Sequence, residues 1–491
     1  MHRLGGTGDN SAMSNERSSA RNRGNERFFE RTLQGLRTAW RDLALQARGM
    51  VASAPVIRPD LPEEDVENLR QQMRDCLEGR GGEVSARARA AELGRTYLQL
   101  SATGRQRFLK LLAGEFDIDR GPAELAAQAF LAATSDEARR LAVNHLRRAL
   151  EAPRVRLLTQ FNALREGVKF LVNLRADLLR WGHGDRAMSA LEADLKHLLA
   201  GWFDVGFLEL RRITWESPAA LLEKLSAYEA VHEVRSWSDL KNRLDSDRRC
   251  FAFFHPRMPD EPLIFVEVAL VNGLAGNIQT LLDEQAPVGD SRAADTAIFY
   301  SISNAQKGLV GISFGGFLIK RVVDQLSAEF PRLKNFATLS PLPGFRAWLD
   351  GRLAGAGDIL KPAEKKALSA VARASSKGAP LQELIAAHDW TKAPAVADAL
   401  QPPLLRLAAA YLLGAKREDG RALDPVAHFH LSNGARVERI NWLADTSPKG
   451  LAQSAGMMVN YLYRTADIEA NHEAYTGDGV VSASSKVRAL A

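Results

Sequence analysis

At 491 residues, with 46% hydrophobic and 25% charged side chains, the chain has the composition of an ordinary globular protein and the length of two domains. Its net charge of +6 gathers at the start, where residues 1–50 hold nine Arg against five Asp or Glu, and the nearly neutral remainder argues against a nucleic-acid binder. No apolar run approaches the roughly 20 residues that span a bilayer, and two cysteines, Cys76 and Cys250, exclude a disulfide framework and favour a reducing cytoplasm.

Residues 1–26, rich in Gly, Asn, Ser and Arg, have little to bury and read as a disordered basic tail. Asp9, Glu16 and Glu26 set this tail apart from a transit peptide. From residue 27 to 201 the periodicity predicts helices almost throughout. One runs from Arg27 to Ala47, and the next opens at Pro62 with Glu63, Glu64 and Asp65 in its first turn, where the helix dipole favours acids. Others are expected at roughly 83–100, 104–116, 122–133, 135–151, 153–181 and 185–200. The long 153–181 helix places Leu157, Phe161, Leu164, Val168, Leu171 and Leu174 on one stripe, the pattern of a core or of a partner-helix interface. His145, His183 and His197 lack the spacing of metal ligands. This region reads as structural or oligomeric, without chemistry of its own.

Near Trp202 the pattern changes. Strand-prone runs at 207–215, 250–254, 263–271, 297–303, 336–339, 426–431 and 437–442, with helices between them, make residues 202–491 α/β or α+β. The Ala- and Leu-rich stretch 351–424, punctuated by Pro362, Pro380, Pro394, Pro402 and Pro403, reads as a helical insertion beside the sheet and a candidate lid.

Residues 297–344 organise this half. A strand is followed by Gly308, Gly311, Gly315 and Gly316, then a helical stretch from Phe317 to Phe330, a second strand, and Ser340-Pro-Leu-Pro343-Gly344. Glycines allow close approach of backbone to ligand, and the helix N-terminus offers N–H groups to phosphate. Ser340, at a strand end and beside two prolines, is a candidate for chemistry.

Two further motifs compete. Gly311-Ile-Ser313-Phe-Gly315 matches the G-x-S-x-G nucleophile elbow, with Asp424 and His430, or Asp445 and His472, in the order a hydrolase triad would need. Against that reading, Lys307–Val310 is too short and glycine-broken for a central strand. The second motif is Asp424 to Trp442, in which Asn433-Gly434 predicts a type I′ hairpin and so places His428 and His430 on one strand face. Paired histidines there fit a metal, a catalytic role or hydrogen-bonded filling of a half-buried face, and no further His, Cys and carboxylate cluster completes a metal site.

Taken together, Arg248–His255, Glu261–Leu270, Phe299–Ser303, Phe317–Val323, Leu339-Ser-Pro-Leu-Pro-Gly-Phe345, Phe429-His-Leu431 with Asn433-Gly434, and Arg439–Asp445 resemble the malonyl-CoA decarboxylases. The resemblance covers most of residues 200–490, with looser agreement in the helical half. It implies an α+β fold, in which an N-terminal all-α helical bundle (27–201) drives dimer or tetramer assembly. A GNAT-type acyltransferase-like α/β catalytic domain follows (202–491), with 351–424 inserted. It also implies a carboxy-lyase of fatty acid metabolism that converts malonyl-CoA to acetyl-CoA and CO2. Ser340 and His430 match the family's catalytic pair, and Val310, Gly311, Ile312, Ser313, Phe314, Gly315 and Gly316 match its thioester-binding loop. His428 matches no family role. The usual GNAT pyrophosphate signature is only partly present, with Gly315 its clearest remnant. The terminal Val487–Ala491 lacks the Ser-Lys-Leu peroxisomal address, which points to the cytoplasm.

A malonyl thioester is a β-carbonyl acid, so loss of CO2 leaves a carbanion delocalised onto its own thioester oxygen. Biotin, pyridoxal, thiamine and metal are therefore not required. His430, with a resting pKa near the working pH, would deliver the proton while Ser340 orients it. The alternatives are an acyl-CoA thioesterase built on Ser313 and a non-catalytic acyl-CoA-binding scaffold.

Overall fold

The computed structural model describes residue 40 and residues 57–78, 82–312, 317–355, 359–372, 380–387 and 389–491. The expected tail at 1–26, and all of the 27–47 helix except Trp40, lie outside the described residues. Contacts divide the chain into two compact units. One comprises Met1–Phe207, His255–Glu261 and Gln306–Ser313, and the other Leu208–Phe254, Pro262–Ala305 and Phe314–Ala491.

The first unit is helical: α1 (Glu63–Glu78), α2 (Gly82–Gln99), α3 (Ala102–Glu115), α4 (Arg120–Ala132), α5 (Asp136–Ala149), α6 (Pro153–Phe161), α7 (Gly167–Trp181) and α8 (Arg186–Trp202). Side-chain oxygens of Ser101, Asp119, Ser135 and Asp185 accept from first-turn N–H groups of α3, α4, α5 and α8, which is why each helix starts where it does. The single helix expected over 153–181 is two. Glu166 turns the backbone left-handed at φ 60°, and a Cβ on Gly167 would fall 1.7 Å from the Phe161 carbonyl oxygen, so the chain re-enters a helix at a new angle. The apolar stripe survives this break: Leu157, Phe161, Leu164, Val168, Leu171 and Leu174 are all buried. Each contributes roughly 2 kcal/mol by leaving water.

Among the described residues the second unit is built on an eight-stranded sheet: β1 (Glu209–Ile213), β2 (Arg248–Phe254), β3 (Ile264–Val271), β4 (Thr296–Asn304), β5 (Asn335–Thr338), β6 (Ser340–Pro341), β7 (Arg436–Asn441) and β8 (Met458–Tyr463). The first four strands pair antiparallel in chain order, and β4 and β5 pair parallel. Antiparallel β8 then takes β5, β6 and β7 as partners. Helices of this unit are α9 (Ala219–Tyr228), α10 (Trp237–Asn242), α11 (Ile278–Leu281), α12 (Phe317–Glu329), α13 (Phe345–Ala354), α14 (Pro362–Val371), α15 (Pro380–Ala386), α16 (Pro394–Gly414), α17 (Pro425–Ser432), α18 (Pro448–Ser454), α19 (Ile468–Asp478) and α20 (Ser485–Leu490).

The class is α+β, as expected, and the strand–turn–helix–strand passage runs from β4 through α12 to β5. One core cluster joins Ala269, Ile298, Tyr300, Ala337, Leu339, Met458 and Leu462 across β3, β4, β5 and β8, and another joins Ile213, Leu222, Leu225, Cys250 and Phe265 near β1. Among the described residues, no helix is long and apolar enough to cross a membrane.

Two further expectations fail. The β-prone run at 426–431 is helix α17, because Asp424 caps it by accepting from Val426 N and Ala427 N, and Pro425 sits at the first helical position with its φ already suited. Asn433-Gly434 is not a hairpin turn. Gly434, at φ +79°, ends the helix, with Gly434 N donating to Leu431 O at 3.0 Å and Ala435 N to His430 O at 3.1 Å. Strand β8 was not expected at all.

Candidate active site

The helix at 425–432 changes what the two histidines can do. Two positions apart on a helix they point about 200° from each other, so they share no face. His428 Nδ1 lies 2.8 Å from the Tyr475 hydroxyl. His430 turns inward and is 3% exposed.

Ser340 stands on β6, and its Oγ lies 3.0 Å from His430 Nε2. The other ring nitrogen, Nδ1, lies 2.8 Å from the hydroxyl of Tyr463 on β8. Tyr461, on the same face of that strand, stacks on the imidazole with ring centres 4.6 Å apart and planes 25° apart. Its hydroxyl is buried and has no hydrogen-bond partner among the described residues. Thr338, at the end of β5, accepts a 2.9 Å hydrogen bond from Ser340 Oγ. A hydroxyl and both nitrogens of one imidazole are thus engaged in a dry, aromatic-walled setting.

Burial dominates the electrostatics. It pushes the His430 imidazole down to about 3, so the ring is neutral, and the expectation of a resting value near the working pH is overturned. Burial also pushes the Tyr461 and Tyr463 phenols well above their ordinary value, so both remain protonated. Asp424 is likewise raised by burial. It accepts from Gly344 N and Tyr411 Oη at 3.2 Å through Oδ2, and from Val426 N and Ala427 N at 2.9 Å through Oδ1. This carboxyl ties the turn after Ser340 to the helix that carries His430.

The expected thioester loop is only partly described. Val310 and Gly311 are exposed, with Gly311 at φ +74°, Ile312 is buried, and Ser313, Phe314, Gly315 and Gly316 lie outside the described residues. The approach to them belongs to the helical unit. Arg175 on α7 donates to Gly308 O at 2.6 Å and to Val310 O at 2.9 Å while pairing with Glu192. A Cβ on Gly308 would fall 1.8 Å from Val172 O, which accounts for that glycine. Lys307–Leu309 is a 3-10 turn, so the strand that a nucleophile elbow requires before Ser313 is not there. The acids and histidines that would complete a hydrolase triad are engaged elsewhere. Asp445 accepts from Gln279 and from Ser447 N, His472 faces Ser432 O, and Asp424 caps α17.

Among the described residues, no group of three or more His, Cys, Asp or Glu is placed to hold a metal ion. Sequence reasoning leaves open whether Tyr461 or Tyr463 lines the pocket, and it misses Thr338. The alternation of Val459, Tyr461 and Tyr463 was the available signal for β8.

Comparison with known proteins identifies the family. Residues 206–491 match the family model described as malonyl-CoA decarboxylase C-terminal domain, and residues 116–203 match the corresponding N-terminal domain. The mitochondrial malonyl-CoA decarboxylase of Anser anser anser is 41% identical over 420 residues, covering 82% of this chain and 83% of that protein. That of Rattus norvegicus is 40% identical over 476 residues, covering 90% and 92%. Crystal structures of malonyl-CoA decarboxylases from Rhodopseudomonas palustris and Agrobacterium vitis superpose with TM-scores of 0.79 and 0.78, at 43% and 42% identity. Each covers 86% of this chain and 99% of the solved one. Two matched domains and relatives aligned over more than four-fifths of their own length leave one conclusion: this chain belongs to the malonyl-CoA decarboxylase family and is a carboxy-lyase.

Proposed function

We propose that the protein converts malonyl-CoA to acetyl-CoA and CO2 at Ser340 and His430, without an organic or metal cofactor. The observation that carries this reading is the 3.0 Å approach of a buried hydroxyl to a buried neutral imidazole. Breaking the bond to the carboxylate sends its electron pair to the α-carbon and onto the thioester oxygen. An oriented donor to that oxygen is worth ~3 to 4 kcal/mol, and a positioned proton donor about 10² to 10⁴ in rate.

His430 is neutral at rest, and a malonyl carboxylate entering this dry setting favours the imidazolium, so a proton enters with the substrate. The imidazolium then gives a proton to carbon as CO2 leaves, and Ser340 orients the ring. One proton is consumed for each CO2 released.

Residues 310–316 are the proposed thioester loop, supported by the glycines in the sequence before α12 and by the bond from Arg175 to the Val310 carbonyl. We take 27–201 as an oligomerisation domain, 202–491 as the catalytic domain and 351–424 as its insertion. A homo-oligomer, dimer or tetramer, is supported by α4 and α5, on which Leu125, Leu131 and Leu141 stand 67%, 80% and 58% exposed, and by Leu150 just after α5, 50% exposed. The cytoplasm is the compartment we propose, in keeping with two buried free thiols, Cys76 and Cys250.

The test is incubation of the wild type, Ser340→Ala, His430→Asn and Ser313→Ala with malonyl-CoA, measuring CO2 and every thioester product. Acetyl-CoA and CO2, lost in the first two variants and largely kept in the third, is the expected result. Malonate with free coenzyme A would make it a thioesterase, and binding without turnover would make it a scaffold.

A further inference from the structure

We infer that Thr338 is the positioning residue that fixes the direction of the Ser340–His430 hydrogen bond, and with it which ring nitrogen of His430 carries the hydrogen. Strands β5 and β6 meet β8 in a single register. Phe336 faces Tyr463 and Ala337 faces Leu462 before Thr338, while Ser340 faces Val459 and Pro341 faces Met458 after it.

At Thr338 side chains take over from the backbone ladder. The Tyr461 N–H donates to Thr338 Oγ1 at 3.1 Å, and Asn460 Nδ2 donates to Thr338 O at 2.7 Å. Ser340 Oγ donates to that same Thr338 Oγ1 at 2.9 Å. Thr338 is fully buried, so water does not stand in for either donor.

The direction follows from counting hydrogens. A serine hydroxyl has one, and here it goes to Thr338. Ser340 Oγ therefore meets His430 Nε2 at 3.0 Å as an acceptor, which places the hydrogen on Nε2. A neutral imidazole has a single N–H, so Nδ1 is bare and accepts from the Tyr463 hydroxyl at 2.8 Å. The chain runs from Tyr463 through His430 and Ser340 and ends on Thr338 Oγ1, whose two accepting positions are filled by Ser340 and by the backbone of Tyr461. Resting on the decarboxylase reading above, this direction presents Nε2–H on the Ser340 side of the ring, where the acyl carbon would be protonated.

The experiment observes histidine labelled with heavy nitrogen, using the His430→Asn spectrum to assign the His430 signals. It compares the wild type, Thr338→Val, which keeps the shape but removes the acceptor, and Thr338→Ser, which keeps the acceptor. Expected are Nε2–H in the wild type and a move of the hydrogen to Nδ1 in Thr338→Val. That variant should lose roughly tenfold to a hundredfold in kcat with KM changed less than about threefold, and Thr338→Ser should restore both tautomer and kcat. Hydrogen on Nδ1 in the wild type, retention of Nε2–H in Thr338→Val, or equal losses in the Val and Ser variants would overturn the inference. If Thr338→Val does not fold, the wild-type tautomer and the Ser variant decide. Failure of the decarboxylase reading shows differently, as malonate with free coenzyme A, as binding without turnover, or as full turnover in Ser340→Ala, and leaves the tautomer measurement intact.

Discussion

Ser340 Oγ and His430 Nε2 meet at 3.0 Å across a separation of ninety positions in the chain, one on a strand end and the other inside a helix. With both side chains nearly excluded from water, neither role passes readily to solvent. Ser340→Ala and His430→Asn should each lower kcat by about 10² to 10⁴. Steady-state kinetics, beside a coenzyme A binding isotherm that stays near wild type, checks this.

Tyr463 holds the far side of the same ring. Its replacement by Phe leaves His430 Nδ1 buried and without its 2.8 Å partner. A buried polar atom left unpaired costs about 1 to 3 kcal/mol, and the ring loses its orientation. Tyr463→Phe should melt earlier and lose roughly tenfold to a hundredfold in kcat, whereas a loss of stability alone would assign Tyr463 a purely structural part. Calorimetry and turnover on one preparation separate the two.

Asp424 acts through the helix it starts. Asp424→Ala removes the acceptor of Val426 N, Ala427 N, Gly344 N and the Tyr411 hydroxyl, and should cost about 2 kcal/mol or more. Asp424→Asn keeps an oxygen for the cap and should cost less than about half as much. Because α17 carries His430, kcat should fall in the same order. Denaturant midpoints and kcat for the pair test the ranking.

Stability should depend on acid in part through His430, beside His232, which burial also pushes down, to about 4. In the native chain burial holds this imidazole down to about 3, whereas an unfolded imidazole takes a proton near 6.5. The native advantage is therefore complete above about pH 6.5 and shrinks as pH falls towards 3, by about 1.4 kcal/mol per pH unit. Thermal midpoints between about pH 7.5 and 4.5 should fall less steeply for His430→Asn, which cannot titrate, than for the wild type. Parallel slopes would mean that His430 is solvated in the native state.

Arg175 gives a separate test of the proposed thioester loop. Arg175→Met frees the carbonyls of Gly308 and Val310 and leaves Glu192 without this partner. KM for malonyl-CoA should rise about tenfold while kcat changes less than about threefold, the pattern of lost binding rather than lost chemistry. An unchanged KM would detach this segment from the substrate.

Periodicity made most of the fold legible. Helices at 82–99, 102–115, 120–132, 136–149 and 186–202, and the strands β1 to β5 and β7, fall where apolar spacing and caps put them. Misreadings arose where one signal serves two structures. Asn433-Gly434 suits a I′ turn and a helix end equally, because both need a residue at positive φ, and only Asp424-Pro425 nine positions upstream marks the helix. Gly167 was absorbed into an amphipathic stripe that continues across the break. The neutral state of His430 could not be read from the chain, since it depends on Tyr461 and Tyr463 on a strand thirty positions away that sequence reasoning did not find.

The stacking of Tyr461 on His430 bears on the product's stereochemistry. An imidazole clamped against a neighbouring ring hands over its hydrogen along one line. Malonyl-CoA of one configuration at a methylene carrying protium and tritium, turned over in heavy water, should therefore yield an acetyl methyl group of a single handedness.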